Sequence, residues 1–202
     1  MRYPFILLIS FGFLFSFLSC TNNSSQISEP TMEEIAIIKP IGDQIAGNLV
    51  KELQSELKAA IKSGGFEEAV NVCNLRAAPI TKIISETTNR KVVIKRTSNK
   101  YRNPMNAPDK FEKKALAYFE GLSNSGKPLP DYFIQKLGSG NSMVFNYYKP
   151  MKTSSNCLIC HGDPENIKPD VLNSISKLYP NDKATGYKEN DFRGLIRITI
   201  GN

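Results

Sequence analysis

Two cysteines three positions apart, followed at once by the only histidine among 202 residues, place the tightest constraint on this chain. The segment is Cys157-Leu158-Ile159-Cys160-His161-Gly162. Thiols at this spacing can each add to one of the two vinyl groups of a haem, and a His directly after the second Cys then lies against the iron as proximal ligand. The peptide arc must match the vinyl separation while aiming the imidazole inward, so the chemistry dictates the spacing. The segment reads as a haem c attachment site. Two other readings compete with it. A redox dithiol would follow a strand in a βαβ unit and begin a helix, whereas this motif follows Thr153-Ser154-Ser155-Asn156. A structural zinc site drawing on Cys157, Cys160, His161 and Cys73 lacks the usual second Cys/His pair.

The beginning of the chain sets the compartment. Residues 1–19 read as a signal peptide: Arg2 supplies a positive start, and an apolar run over residues 5–18, interrupted by Ser10, Gly12 and Ser16, is short for a permanent membrane span. Leu18-Ser19-Cys20 has the form of a bacterial lipoprotein box, which makes Cys20 the expected site of lipidation and the mature N-terminus. Several acyl chains hold a protein stably on a membrane surface. The expected location is the bacterial cell envelope, on the periplasmic side of a membrane. Residues 20–30, with Asn22, Asn23, Ser24 and Ser25, read as a polar tether, and residues 31–202 as one domain without internal repeats.

An exported setting permits disulfides, yet the thiols are otherwise assigned. With Cys20 given to lipid and Cys157 and Cys160 to haem, Cys73 has no thiol partner. With His161 as proximal ligand, no second imidazole exists for the other iron face. The candidates there are Cys73, one of Met32, Met105, Met143 or Met151, a Lys or Tyr, or an open site.

Helical signals dominate the first part of the domain. Thr31 and Glu34 have capping-box spacing, and Ile35, Ile38, Ile45, Leu49, Leu53 and Leu57 recur at helical intervals to about residue 62. Pro40 is expected to kink or break this helix early, and Ser63-Gly64-Gly65 to end it. A second helix from Phe66 carries Ala69, Val70, Cys73, Ala77, Ile80 and Ile84 on one face, which aims Cys73 at the core, with a bend expected at Pro79. A strand over residues 90–96 leads into a turn-rich segment to Pro108. Asp109 then caps a helix carrying Phe111, Leu116, Phe119 and Leu122. Residues 131–137 read as a short helix or turn, 143–149 as a strand, 169–178 as a short helix and 194–200 as a terminal strand. Helices first and scattered strands after them give an α+β fold with an antiparallel sheet.

Three groups of residues carry a family resemblance. They are Val70-Asn71-Val72-Cys73 with Ala78-Pro79-Ile80; Lys95-Arg96-Thr97-Ser98 with Arg102-Asn103-Pro104 and Asn106-Ala107-Pro108; and 157–162 followed by Gly186-Tyr187 and Asp191-Phe192-Arg193-Gly194. Together they resemble a haem-c domain family of unknown function, whose members occur as exported single-domain proteins and in bacterial sensor proteins. The resemblance spans nearly the whole mature chain. It implies a PAS-like antiparallel sheet flanked by helices and preceded by a long N-terminal helix, holding one covalent haem c. It also implies axial ligation by His161 and Cys73.

A thiolate ligand donates charge to iron, stabilises the ferric state and lowers the reduction potential relative to a thioether. Detachment of Cys73 on reduction would open a site for a small gas. The formal charge of +7, or +6 without Arg2, makes Arg96 and Arg102 candidate partners for the haem propionates through bidentate hydrogen bonds. Nucleic-acid binding does not suit an exported lipoprotein, while an acidic redox partner or anionic lipid would suit its basic balance. Neither paired carboxylates, nor a Ser/His/Asp set, nor a phosphate loop is present, and the only His is committed to iron. The expected function is therefore redox sensing or electron transfer with an unknown redox or signalling partner, rather than catalysis. A haem-based gas sensor is the alternative, and a zinc-binding structural protein a more distant one. With no output domain after Asn202, transfer or signalling through a partner is the expectation.

Overall fold

The structure, a computed structural model, describes residues 27–88, 91–138 and 143–201. The expected signal peptide at 1–19, Cys20 and most of the tether lie outside the described residues. Among those residues, no helix is long and apolar enough to cross a membrane.

The fold is α+β. Strands β1 (Ile27–Ser28), β2 (Val92–Thr97), β3 (Phe133–Leu137), β4 (Val144–Lys152) and β5 (Phe192–Gly201) form one antiparallel sheet in the order β1-β3-β4-β5-β2. Period-two alternation sends the two sets of side chains to different helices. Ile94, Ile134, Phe145, Tyr147, Ile196, Ile198 and Ile200 pack against Ile38, Ile45, Ala46 and Leu49 of α1 (Met32–Thr87). From the opposite face, Tyr148 and Leu195 pack against Ala115, Leu116 and Phe119 of α2 (Lys110–Asn124). Full burial of a side chain such as Leu49 is worth about 2–3 kcal/mol. A third cluster joins Val70 of α1 to Val171 and Ile175 of α4 (Pro169–Leu178).

The expected Thr31–Glu34 capping box forms, and Asp109, expected only as a cap, forms a second box with Glu112; each such cap is worth about 1 kcal/mol. The long helix changes direction where the two glycines fall. Gly64 and Gly65 leave helical geometry, and Gly65 at φ 74° and ψ −163° occupies a region that only glycine enters freely. Pro40, where the sequence allows a kink or a break, does not break the helix, and Pro79, where a bend is expected, also lies within it at helical dihedrals. The carbonyls each proline leaves without a donor belong to Ala36 and Leu75, and both residues are exposed, so water can accept the role.

Two segments differ from the sequence reading in kind. The stretch read as a short helix or turn at 131–137 contains β3, which pairs residue by residue with β4 from Phe133 opposite Tyr148 to Leu137 opposite Val144. Its polar Gln135 is buried where Tyr148 Oη donates to it, so a residue that looks like solvent-facing turn belongs to the sheet interior. The last part of the expected tether is also structured, since Ile27 and Ser28 pair with Leu137 and Lys136.

Candidate functional site

The Cys-x-x-Cys-His segment folds as two tight turns, a 3-10 turn over Ser155–Cys157 and the single helical turn α3 (Leu158–His161). Cys157 and Cys160 are free thiols. The segment is pinned from the far side of a loop: Gly186 N donates to Gly162 O at 2.7 Å, and Tyr187 N donates to His161 O at 3.0 Å. Gly162 is tightly confined, because a Cβ there would lie 2.5 Å from the Leu158 carbonyl oxygen.

A cleft of about 320 Å³ opens beside this segment and gathers most of the residues that the sequence singles out. Cys157, Cys160 and His161 line it together with Cys73, Arg96 and Arg102. Leu53, Leu57, Phe66 and Val70 give it apolar walls. Cys73 does not enter the core as its helical face suggested. Its neighbours Ala69, Val70, Ala77 and Ile80 are buried, while Cys73 itself is exposed to the cleft. Protein still crowds it: burial pushes its thiol up, against the pull of Arg96 and then Arg102. The thiolate, which is the ligating form, therefore arises there by displacement of a proton.

His161 is held for ligation through its far nitrogen. Its Nδ1 lies 2.6 Å from Ala184 O, and because a carbonyl only accepts, Nδ1 carries the proton and the Nε2 lone pair remains available. Burial drives its pKa down to about 3, aided by the positive charges of Arg102 and Arg193, so the ring is neutral at ordinary pH. The cations around it are differently employed. Arg102 Nη2 donates to Cys160 O at 2.6 Å and to Asp182 Oδ2 at 3.0 Å, while its Nε is buried without an acceptor. Arg193 Nη1 donates to Lys100 O, Ser98 Oγ and Tyr187 Oη. The Arg96 side chain makes no hydrogen bond or ion pair among the described residues, and burial lowers its pKa.

This donor set fits a haem on three observations. Both thiols and the oriented imidazole share one cleft with an additional thiol; the walls are substantially apolar; and a cleft-lining guanidinium retains a buried N–H with no acceptor, as an anionic propionate would supply. Among the described residues, no three His, Cys, Asp or Glu side chains converge into a metal-binding group, so Cys73, Cys157, Cys160 and His161 do not gather as a zinc tetrad.

Of the alternative distal residues, Met32 and Met105 are 75% and 81% exposed, and Met143 packs against the main core cluster. Met151 lines the cleft, alongside Cys73. Sequence reasoning passed over Arg193, although the Asp-Phe-Arg-Gly segment contains it, and over Asp182 and Ala184, for which no local signal exists. Tyr101 and Tyr179 line the cleft as well.

The description Tll0287, of a Tll0287-like family, matches residues 21–201 of the chain. No curated protein matches it. Among solved structures, the crystal structure of the cyanobacterial heme-protein Tll0287 is similar to the chain with a TM-score of 0.55 and 22% identity. That match covers 86% of this chain and 98% of the other.

Proposed function

The chain belongs to the Tll0287-like family, and on that footing we propose that it is a mono-haem c-type protein acting in redox sensing or electron transfer. The observation that carries this reading is the cleft in which Cys157, Cys160, a Nδ1-anchored His161 and Cys73 meet. That the relative of known structure is a haem protein supports it. A haem in this cleft supplies a one-electron couple at its iron.

The residues then divide the work. Cys157 and Cys160 would each add a thiol to a vinyl group, and the resulting thioethers would keep the group from dissociating. His161 keeps its proton on Nδ1 and offers Nε2, the hydrogen bond to Ala184 making the imidazole a stronger donor. Cys73 offers a thiolate that favours the oxidised state. Leu53, Leu57, Phe66 and Val70, which wall the cleft, would exclude water, and Arg96 and Arg102 would balance the propionates. The sheet supports a PAS-like reading, since the C-terminal strand β5 lies inside it between β4 and β2, with β3 beyond β4.

We read the protein as an exported lipoprotein held on the periplasmic side of a membrane through Cys20, exchanging electrons or signals with a protein partner rather than catalysing a reaction. Replacing Cys20 with Ser should release it from the membrane fraction, and undiminished membrane retention counts against the anchor. The gas-sensing reading has its own observation: a further cavity of about 190 Å³ shares Cys73 and Arg96 with the cleft, which gives space next to the proposed distal thiol. Absorption spectra of both oxidation states, with and without CO, separate the two roles. A six-coordinate, CO-inert haem in both states supports electron transfer, and CO binding on reduction supports sensing.

A further inference from the structure

His161 depends on a carbonyl 23 residues further along the chain, so something must hold that carbonyl still. A closed ring of hydrogen bonds does so. Arg102 Nη2 reaches Cys160 O at 2.6 Å inside the attachment segment, Asp182 Oδ2 at 3.0 Å and Ala184 O at 3.4 Å. Asp182 completes the ring through its other oxygen, Oδ1, which accepts from Ala184 N at 2.9 Å. Both charged side chains are largely buried, 13% and 10% exposed. Lys183 N donates to Tyr101 O at 3.1 Å, tying the same loop to the residue beside Arg102.

We infer that Arg102 and Asp182 are positioning residues for the proximal ligand: together they lock the Ala184 carbonyl against His161 Nδ1 and hold the attachment turn at the same time. This inference rests on the haem reading. An Arg is suited to the task because its planar guanidinium holds Nη2 in a fixed direction, its two N–H groups serving Cys160 O and Asp182 Oδ2 with Ala184 O at the margin, a rigidity that a Lys ammonium does not reproduce. A buried charge pair of this kind fixes one arrangement, because removing one member leaves the other unpaired. Arg102 thus acts on His161 through Ala184, in addition to any contact of its free Nε–H with a propionate.

The test compares the wild-type protein with R102A, R102K and D182N, each matured with haem. The first measurement is covalent haem content, and wild type without covalent haem refutes the haem reading itself. With haem retained, the Nδ1–H of His161 is followed by hydrogen exchange in the reduced protein, together with the reduction potential. The lock predicts at least tenfold faster exchange in R102A and D182N. It also predicts a positive shift of potential as the imidazole loses donor strength, and incomplete rescue by R102K. Haem-loaded R102A or D182N with wild-type exchange and potential overturns the lock and leaves the haem reading standing. Should R102A fail to load, D182N and the ¹⁵N shift of His161 Nδ1 in haem-free protein decide the matter. The lock predicts a mixed tautomer in D182N and a single Nδ1–H tautomer in wild type; identical shifts overturn it.

Discussion

Cys73 and Arg96 line the same two cavities, the cleft of about 320 Å³ beside the attachment segment and a smaller one of about 190 Å³. Cys73 therefore stands at the boundary between the proposed haem site and a side space, with a cation that lacks a hydrogen-bond partner near its thiol. Which residue takes the distal position has become a choice that mutation can settle, since Met151 is the one methionine lining this cleft among the described residues.

Cys73→Ala should leave haem covalently attached through Cys157 and Cys160 but alter the ferric absorption and electron paramagnetic resonance spectra. The reduction potential should rise, because the thiolate no longer favours ferric iron. Met151→Leu should leave those spectra unchanged. The reverse pattern assigns the distal position to Met151.

On the other face of the sheet, Glu112 is fully buried between Lys95 Nζ at 2.7 Å and Arg197 Nη1 at 3.1 Å. Neutralising it in Glu112→Gln leaves Lys95 without its carboxylate, while Arg197 keeps Asp109 at 2.6 Å, so the loss falls on one cation and costs about 3 kcal/mol. Urea denaturation should show that loss, and a change below about 1 kcal/mol would mean that water reaches the pair more freely than its burial indicates.

Asp109 gives the acid limb of stability a defined source. Burial works to raise its pKa, but the N–H groups of Glu112 and Phe111 and the Arg197 guanidinium outweigh burial and leave it lowered. A carboxyl lowered in the folded state contributes stability above its unfolded pKa of about 3.9, and the contribution disappears as pH falls through the folded value. The stability difference between wild type and Asp109→Asn should be constant above about pH 5 and shrink below about pH 4. A difference that grows on acidification would reverse the sign of this account.

Much of this was readable in the chain, where the signal is local. The Asp109 cap, the Gly64-Gly65 break and α4 are fixed by neighbours within a few residues, and the structure has them where the sequence places them. What escaped depends on distant partners. Gln135 looks like a turn residue until Tyr148 comes to meet it, and Pro40 looks like a breaker unless Ala36 is known to face water. The apolar face of the second helical segment includes Cys73, but a cleft rather than a core covers that position. The Arg102, Asp182 and Ala184 arrangement spans more than eighty residues and leaves no periodic trace.

The central claim is that Cys157 and Cys160 bind one haem covalently. Its most direct measurement is the mass of the denatured protein after production alongside a haem-attachment system. The account predicts the polypeptide plus one haem, with the added mass lost when both cysteines are replaced by serine. An unmodified polypeptide mass in the wild-type protein, produced where a known c-type cytochrome acquires its haem, would contradict it.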